Sequence, residues 1–504
     1  MLSPIEHNPI GLQKHIPALV LIGLAFMLAY LYAHLSMIIP FGLHGDEMLD
    51  WNGAAIGDYI ANGRWCLALY KAIFGLGSMP VTAGLTAGIF FTLAYLVMLR
   101  IFPVRNLYAA AFCAVFFITD TAISYHLHYS HQVDAVALGL LMSVLGAYLI
   151  CTWNSYKGVL GAALLFACAT GCYQSLLLCP CVVIAVHLSN RVFSNNCTIK
   201  EASGLLMRTA LALAAAFIVY LAISKCAMGL GIANENQIAT CRLYQASQFN
   251  CPLLKDCSFP LKIQSICHYL LCTASQFLEP SRAGGFYFLC AFVPIIGICA
   301  LYTRQSAHTF PKMLALSSLL ALACFIPQLM HVALGNNWVP PHVKIAGALS
   351  SSAIWMTFLS HLTWRPRYGK AACIIAFLAL QWCAYFDSTL SREKRTFSER
   401  YISMLHAVEY DAIRYASRQN INLEQVRVLL FPSWDYNLYP CVDRPGGLGQ
   451  FRYLHFPVSD AEYLKHLPLL KTMPVWPADG SIRVEGDTII VKGTDTLQDF
   501  TREP

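Results

Sequence analysis

Long apolar runs separated by short polar gaps organise this chain. Taking ~17–25 residues as the length that crosses a bilayer, such runs occur at 16–39, 81–99, 107–123, 133–150, 205–226, 285–302, 313–334, 343–362 and 371–386. The stretch 158–188 is too long for one straight crossing and barely long enough for two, and Gly171, Tyr173, Gln174 and Pro180 interrupt its middle. Charge decides between these readings. If the interruption is a hairpin tip, Lys14, Arg100, Arg105, Lys157, Arg191, Lys200, Arg208, Arg304, Lys312, Arg365, Arg367 and Lys370 all fall on one side of the membrane. A single crossing would instead turn Arg365 and Arg367 outward, against the excess of Lys and Arg in cytoplasmic loops. The pattern therefore predicts an all-α polytopic membrane protein of about eleven spans, with its N-terminus in the cytoplasm and its C-terminus outside. The first run is too long for the core of a signal peptide and is followed by no small-residue cleavage site, so it reads as an uncleaved span.

This topology gathers the unusual residues on the outer face. The first outer loop, 40–80, reads as two short interfacial helices, 50–61 and 64–74, joined at Asn62-Gly63. The 125–131 loop, the 228–283 gap and the 336–342 loop lie on the same side. Residues 1–387 then form the membrane domain, and 388–504 a small mixed α/β domain outside it. That tail opens with Phe397, Tyr401, Leu405 and Val408 at near-helical spacing and continues into strands at 427–431 and 482–491.

Composition agrees with the membrane reading. The chain is 57% hydrophobic and only 12% charged, with a mean hydropathy of +0.53, far from a soluble globular domain. Its net charge of +7 sits in the gaps between apolar runs rather than in one patch, which favours topology over binding of nucleic acid or anionic lipid; membrane lipid is an expected partner through the apolar spans, and nucleic acid is not. Most of the 20 cysteines lie inside apolar runs, where a thiol acts as a small hydrophobe. Cys241, Cys251, Cys257 and Cys267 share the long outer gap, where an oxidising compartment would permit pairing.

Candidate chemistry begins at His44-Gly45-Asp46-Glu47-Met48-Leu49-Asp50-Trp51, just after the first span. A carboxylate at a bilayer boundary loses solvation unless it is paired or does chemistry. On a helix Asp46 and Asp50 share a face while Glu47 points elsewhere, so one acid can enter a cavity as another stays solvated. A semi-buried carboxylate of this kind suits a general base that takes a proton from an attacking hydroxyl. Arg64 is its natural partner, because a planar bidentate cation can stabilise the charge that grows on a leaving phosphate; the same residue would also serve as an ordinary snorkelling Arg. Lys344, after Pro340-Pro341-His342, is a second cation for that phosphate.

His126, His128, His131 and Asp134 have the residue types of a metal site, but the first two oppose each other on a helix. Polar lining of a substrate cavity is the better reading, with no metal and no cofactor expected. Asp134 at the mouth of a span also suits a helix N-terminal acid. Trp51, Trp65, Tyr125, Tyr129 and Trp338 have the placing of an aromatic belt, and such rings also stack on the apolar face of a sugar. The cavity residues are accordingly His44, Trp51, Trp65, Tyr129, His131, Asp134, Trp338 and His342.

The acidic pair Asp46-Glu47, the aromatic loop with Asn62-Gly63-Arg64-Trp65, the stretch Tyr129-Ser130-His131-Gln132-Val133-Asp134 and Cys172-Tyr173-Gln174-Ser175 together resemble a bacterial polytopic O-antigen glucosyltransferase of serotype conversion. The resemblance covers 16–386 and leaves the tail without a counterpart. It implies a multi-span GT-C-like fold in the inner membrane that takes glucose from a polyprenyl phosphate on the periplasmic face. The acceptor it implies is an O-antigen still on its lipid carrier, and the base is an acid of the first outer loop, which carries onto Asp46 with Glu47 beside it. The alternative from another class is a transporter or lipid-linked-sugar flippase. Such a protein is expected to carry ionisable or broken-helix sites near the midplane in corresponding halves, whereas the acids here cluster on one face. A non-enzymatic assembly subunit would leave the first loop without a purpose.

A reporter active only in the cytoplasm, fused after Asp387, is expected to be silent. Activity there would overturn the eleven-span topology.

Overall fold

The computed structural model describes residues 16–39, 55–75, 80–102, 106–129, 131–195, 197–233, 284–303, 310–329, 341–362, 366–419, 427–431, 468–485 and 488–492, together with 104, 238, 260–265 and 267–268. In chain order the helices are α1 (Ile16–Ile38), α2 (Ala55–Ala61), α3 (Trp65–Phe74), α4 (Pro80–Ile101), α5 (Leu107–Ile118), α6 (Thr121–His128), α7 (Val133–Thr152), α8 (Tyr156–Cys172), α9 (Cys179–Phe193), α10 (Ile199–Gly229), α11 (Gly284–Thr303), α12 (Phe310–Phe325), α13 (Ala346–His361) and α14 (Pro366–Arg418). Short 3₁₀ turns at Gln174–Leu178 and Pro341–Lys344 lead into α9 and α13.

Among the described residues six helices are long and apolar enough to cross a membrane, and a seventh crossing is formed if α5 and α6, bent by 51° at their junction, count as one. The helix starts follow from side chains that satisfy orphan backbone donors. Asn106 accepts from Tyr108 N and Ala109 N to open α5, Asp120 from Ala122 N to open α6, and Thr198 with Glu201 forms a capping box on α10.

α1, α4 and α5 share a buried aromatic cluster, where Phe26, Tyr95, Phe91 and Phe117 meet edge-on or tilted. Lipid tails are as apolar as leucine, so close packing and interhelical hydrogen bonds hold such helices together. Gly84 and Gly88 let α4 approach Ile38 and Tyr30, and the Tyr30 hydroxyl donates to Gly84 O at 2.9 Å. Leu21, Leu24, Leu28 and Leu35 are exposed along one stripe of α1, the arrangement expected of a face that meets lipid.

Helix ends sort by chemistry. At one end Arg191 pairs with Glu201 at 3.1 Å, Lys312 donates to Asn195 Oδ1 at 2.9 Å, and Arg208 meets Asn154 and the Trp153 carbonyl. The opposite end carries α2, α3 and the start of α7. The 158–188 stretch does break where its sequence is interrupted, at Tyr173 between α8 and the turn into α9. The 125–131 segment departs from the loop expected there: α6 runs through His128, because the Asp120 cap restarts the helix after the break. The tail helix likewise continues from the last apolar run without interruption, as the 53-residue α14. Beyond it β1 (Arg427–Phe431) pairs in parallel with β3 (Thr488–Lys492), and β2 (Ile482–Glu485) pairs antiparallel with β3. Trp476 Nε1 donates to Asp411 Oδ2 at 3.0 Å and joins this region to α14.

Gly63 turns the chain between α2 and α3 at φ +73°, and a Cβ there would run into the Tyr220 hydroxyl of α10. Gly63→Ala therefore combines left-handed strain with a clash and is expected to cost about 1–3 kcal/mol, read as a lowered thermal midpoint of the purified protein.

Candidate functional site

The α2–α3 corner seats on the ends of α7, α8 and α10, and its polar atoms are used to hold it there. Gln174 Nε2 donates to Asn62 O at 2.6 Å and reaches the Tyr220 hydroxyl at 3.4 Å. A Cβ on Gly171 would lie 2.6 Å from the Trp65 ring, so the close approach of α3 to α8 needs a glycine. Arg64, the residue before α3, donates from Nη1 to Gln132 Oε1 at 2.9 Å and lies over the Tyr173 ring at 4.8 Å. These are neutral partners. Arg64 Nε and Trp65 Nε1 are buried donors without a hydrogen-bond partner, and no carboxylate pairs with Arg64 among the described residues. A half-buried guanidinium in such surroundings favours an anion, and a phosphate best matches its fork of donors.

Lys71, farther along α3, is treated differently. Its ammonium lies 3.2 Å from the Asp134 carboxylate, with both side chains largely buried. Burial, then the Asp134 charge and a hydrogen bond to it, push the neighbouring Tyr70 phenol well above its ordinary range. The Lys71 charge is thus cancelled while that of Arg64 is left open. Around them the Tyr59 and His131 rings stack at 6.4 Å, and His131 also meets Tyr129 edge-on. His126, on α6, meets Tyr173 edge-on at 5.4 Å.

A second polar group lies where α1, α6 and α14 meet. His34 Nδ1 is 2.5 Å from Asp387 Oδ2, His34 Nε2 is 3.0 Å from Ile118 O, and both side chains are fully buried. Cys383, one turn before Asp387, brings its sulfur within 4.8 Å of both ligand atoms and within 3.9 Å of Ser124 Oγ. The His34 to Asp387 spacing suits a shared proton, because two ligands of one tetrahedral ion at ~2.0–2.3 Å each stand more than ~3 Å apart. Asp120, at the α5–α6 break, faces the charge of Lys344 on the 3₁₀ turn before α13.

Of the residues expected from the sequence, Arg64, Trp65, Tyr129, His131 and Asp134 come together at this end, with Lys344 opposite Asp120. His44, Asp46, Glu47, Asp50, Trp51 and Trp338 lie outside the described residues, as do Cys241, Cys251 and Cys257. His342 lies on the Pro341–Lys344 turn. Asp134, read as cavity lining or a helix-start acid, is also the counter-ion of Lys71. Sequence reasoning passed over Lys71, Asp120, His34 and Asp387. A signal existed for the last two, since an ionisable residue within or at the end of a span marks a site by default.

Fold and site together define a polytopic membrane protein with a cluster of buried and half-buried polar groups, Arg64 among them, at one end of its helices. The profile of the glucosyl transferase GtrII family matches residues 35–357, well over half of the chain, and the chain belongs to that family. The membership makes it a membrane glucosyltransferase acting between a sugar donor and a glycan acceptor. No curated protein and no solved structure matches it.

Removing one partner of a buried pair strands the other charge, so Lys71→Met is expected to cost about 3–5 kcal/mol of stability, and Lys71→Met with Asp134→Leu much less. Thermal unfolding of the two variants in detergent measures the difference; equal losses would show that the pair is not coupled.

Proposed function

We propose that this protein is an inverting glucosyltransferase of the GT-C type, moving a glucosyl residue from a polyprenyl-phosphate donor to a lipid-linked O-antigen or similar surface glycan. In this reading the reaction takes place on the periplasmic face of the bacterial inner membrane. The observation that carries it is Arg64, a cation with two neutral partners and a buried Nε that has no hydrogen-bond partner, in the same sequence loop as Asp46, Glu47 and Asp50. A base from that loop, Asp46 with Glu47 and Asp50 as neighbours, takes the proton of an acceptor hydroxyl as its oxygen attacks the anomeric carbon. The bond from that carbon to the phosphate oxygen breaks on the opposite side, which inverts the centre. The electron pair leaves with the polyprenyl phosphate, whose growing charge Arg64 stabilises and Lys344 shares. Tyr59, Tyr129, His131 and Trp65 supply rings for the sugars, as His44, Trp51, Trp338 and His342 would from their own segments.

The eleven-span topology belongs to the same reading. It is supported by the sorting of helix ends, with Arg191, Arg208 and Lys312 at one end and Arg64 and Lys71 at the other. It puts residues 388–504 in the periplasm as a separate domain, reached by α14. The acids of the first outer loop cluster on one face in the sequence, with no internal symmetry of halves, which favours this reading over a transporter or flippase.

Turnover of a polyprenyl-phosphate glucose by purified protein, with and without acceptor glycan, tests the proposal. Asp46→Asn is expected to lower the rate by ~10²–10⁴-fold with donor binding intact, whereas Glu47→Gln and Asp50→Asn lower it less. Arg64→Ala is expected to weaken donor use, with Arg64→Lys recovering only part of it because an ammonium lacks the bidentate fork. Near-normal turnover by the Asp46 variant would transfer the base to another acid, and near-normal turnover by Arg64→Ala would remove the phosphate site.

A further inference from the structure

The His34–Asp387 contact has no part in the chemistry above, yet it joins the helix that delivers the first outer loop to the helix that carries the tail. His34 lies one turn before the end of α1 at Ile38, and the loop follows directly. Its Nε2 faces the carbonyl of Ile118, the last residue of α5, which is left without a helical partner where the span breaks. A carbonyl only accepts, so Nε2 bears hydrogen. The 2.5 Å contact between Nδ1 and Asp387 Oδ2 then needs one proton, and one only, between two atoms that would otherwise set lone pair against lone pair. With both side chains at 0% exposure, water can neither compete for this bond nor replace it. Among the described residues Asp387 Oδ1 has no hydrogen-bond partner, and the carboxylate's directional tie is to His34.

We propose that His34 and Asp387 are positioning residues: their single-proton bond, with the Ile118 carbonyl behind it, sets the rotation of α1 one turn before the helix ends and the chain continues toward Asp46. Adhesion alone does not call for it. α1 and α14 already pack along their lengths, with Ser391 Oγ donating to Ser36 O at 2.6 Å and Gln381 meeting the Tyr32 hydroxyl. To those contacts the buried bond adds a directional tie from a planar ring, which restrains the angle about the α1 axis. Asp46 follows α1 in the sequence, and a misplacement of about 1 Å at a reacting group can cost about 10²-fold in rate. The functional part rests on the reading that a first-loop acid is the base.

Two measurements separate the pair from that reading. Proton and nitrogen NMR of histidine-labelled protein in nanodiscs is expected to show a far-downfield proton on His34 that disappears in Asp387→Asn. Its absence from the unsubstituted protein would overturn the proposal whatever the enzyme turns over. In donor turnover, the double variant His34→Leu, Asp387→Leu is expected to regain most of the thermal stability lost by Asp387→Asn, because no stranded charge remains. Its kcat is expected to stay down by roughly 10²-fold, with KM for the donor unchanged, and Asp387→Glu to recover part of kcat. Wild-type kcat in the double variant would show that the pair is only a replaceable staple and would overturn the proposal. If the double variant does not fold, Asp387→Asn, which keeps the shape, carries the same kcat comparison. Should the unsubstituted protein not turn over this donor at all, the donor reading fails while the NMR result still decides the bond.

Discussion

Hydrocarbon offers no hydrogen bonds, and that constraint decides where this chain puts its polar groups. The His34–Asp387 bond, the Lys71–Asp134 pair and the Tyr30 bond to Gly84 O each pair a buried group with another part of the chain. Each joins helices distant in sequence, so the same contacts that satisfy polarity also set the arrangement of the bundle. The glycines act with them. Gly171 admits Trp65 and Gly63 makes room for Tyr220, so that the α2–α3 corner settles on α8 and α10 in one position.

Against this background an incomplete group stands out. Lys71 and Arg64 lie on the same short segment, and the structure neutralises one and not the other. A guanidinium is weakly hydrated and rests well on an aromatic ring, so Tyr173 and Gln132 can hold it without cancelling its charge. That leaves a fixed cation whose favourable interaction appears only when an anion arrives, the condition for stabilising a leaving group as its charge develops. A broken helix at the same end serves a related purpose. The α5–α6 bend frees the Ile118 carbonyl for His34 and gives Asp120 a cap to make, placing two buried hydrogen bonds at one irregular point.

The apolar runs alone determine that this is a polytopic helical protein, because 3.6-residue backbone satisfaction is the open solution for a lone segment in lipid. They also place the break at Tyr173, the corner at Asn62-Gly63 and the strands at 427–431 and 482–485, all of which depend on local residue types. Arg64 and Asp134 were visible as charges beside spans. Their roles were not, since Asp134 could be assigned to Lys71 only once α3 and α7 were seen to meet. The α6 helix through His128 was likewise hidden, because Tyr125, His126 and His128 read as a polar loop until packing buried them. His34 and Asp387 stand 353 positions apart, and no local pattern connects them. Their bond exists because the tertiary structure excludes water from both and leaves each with the other as its partner, which is a property of the assembled bundle and of no segment within it.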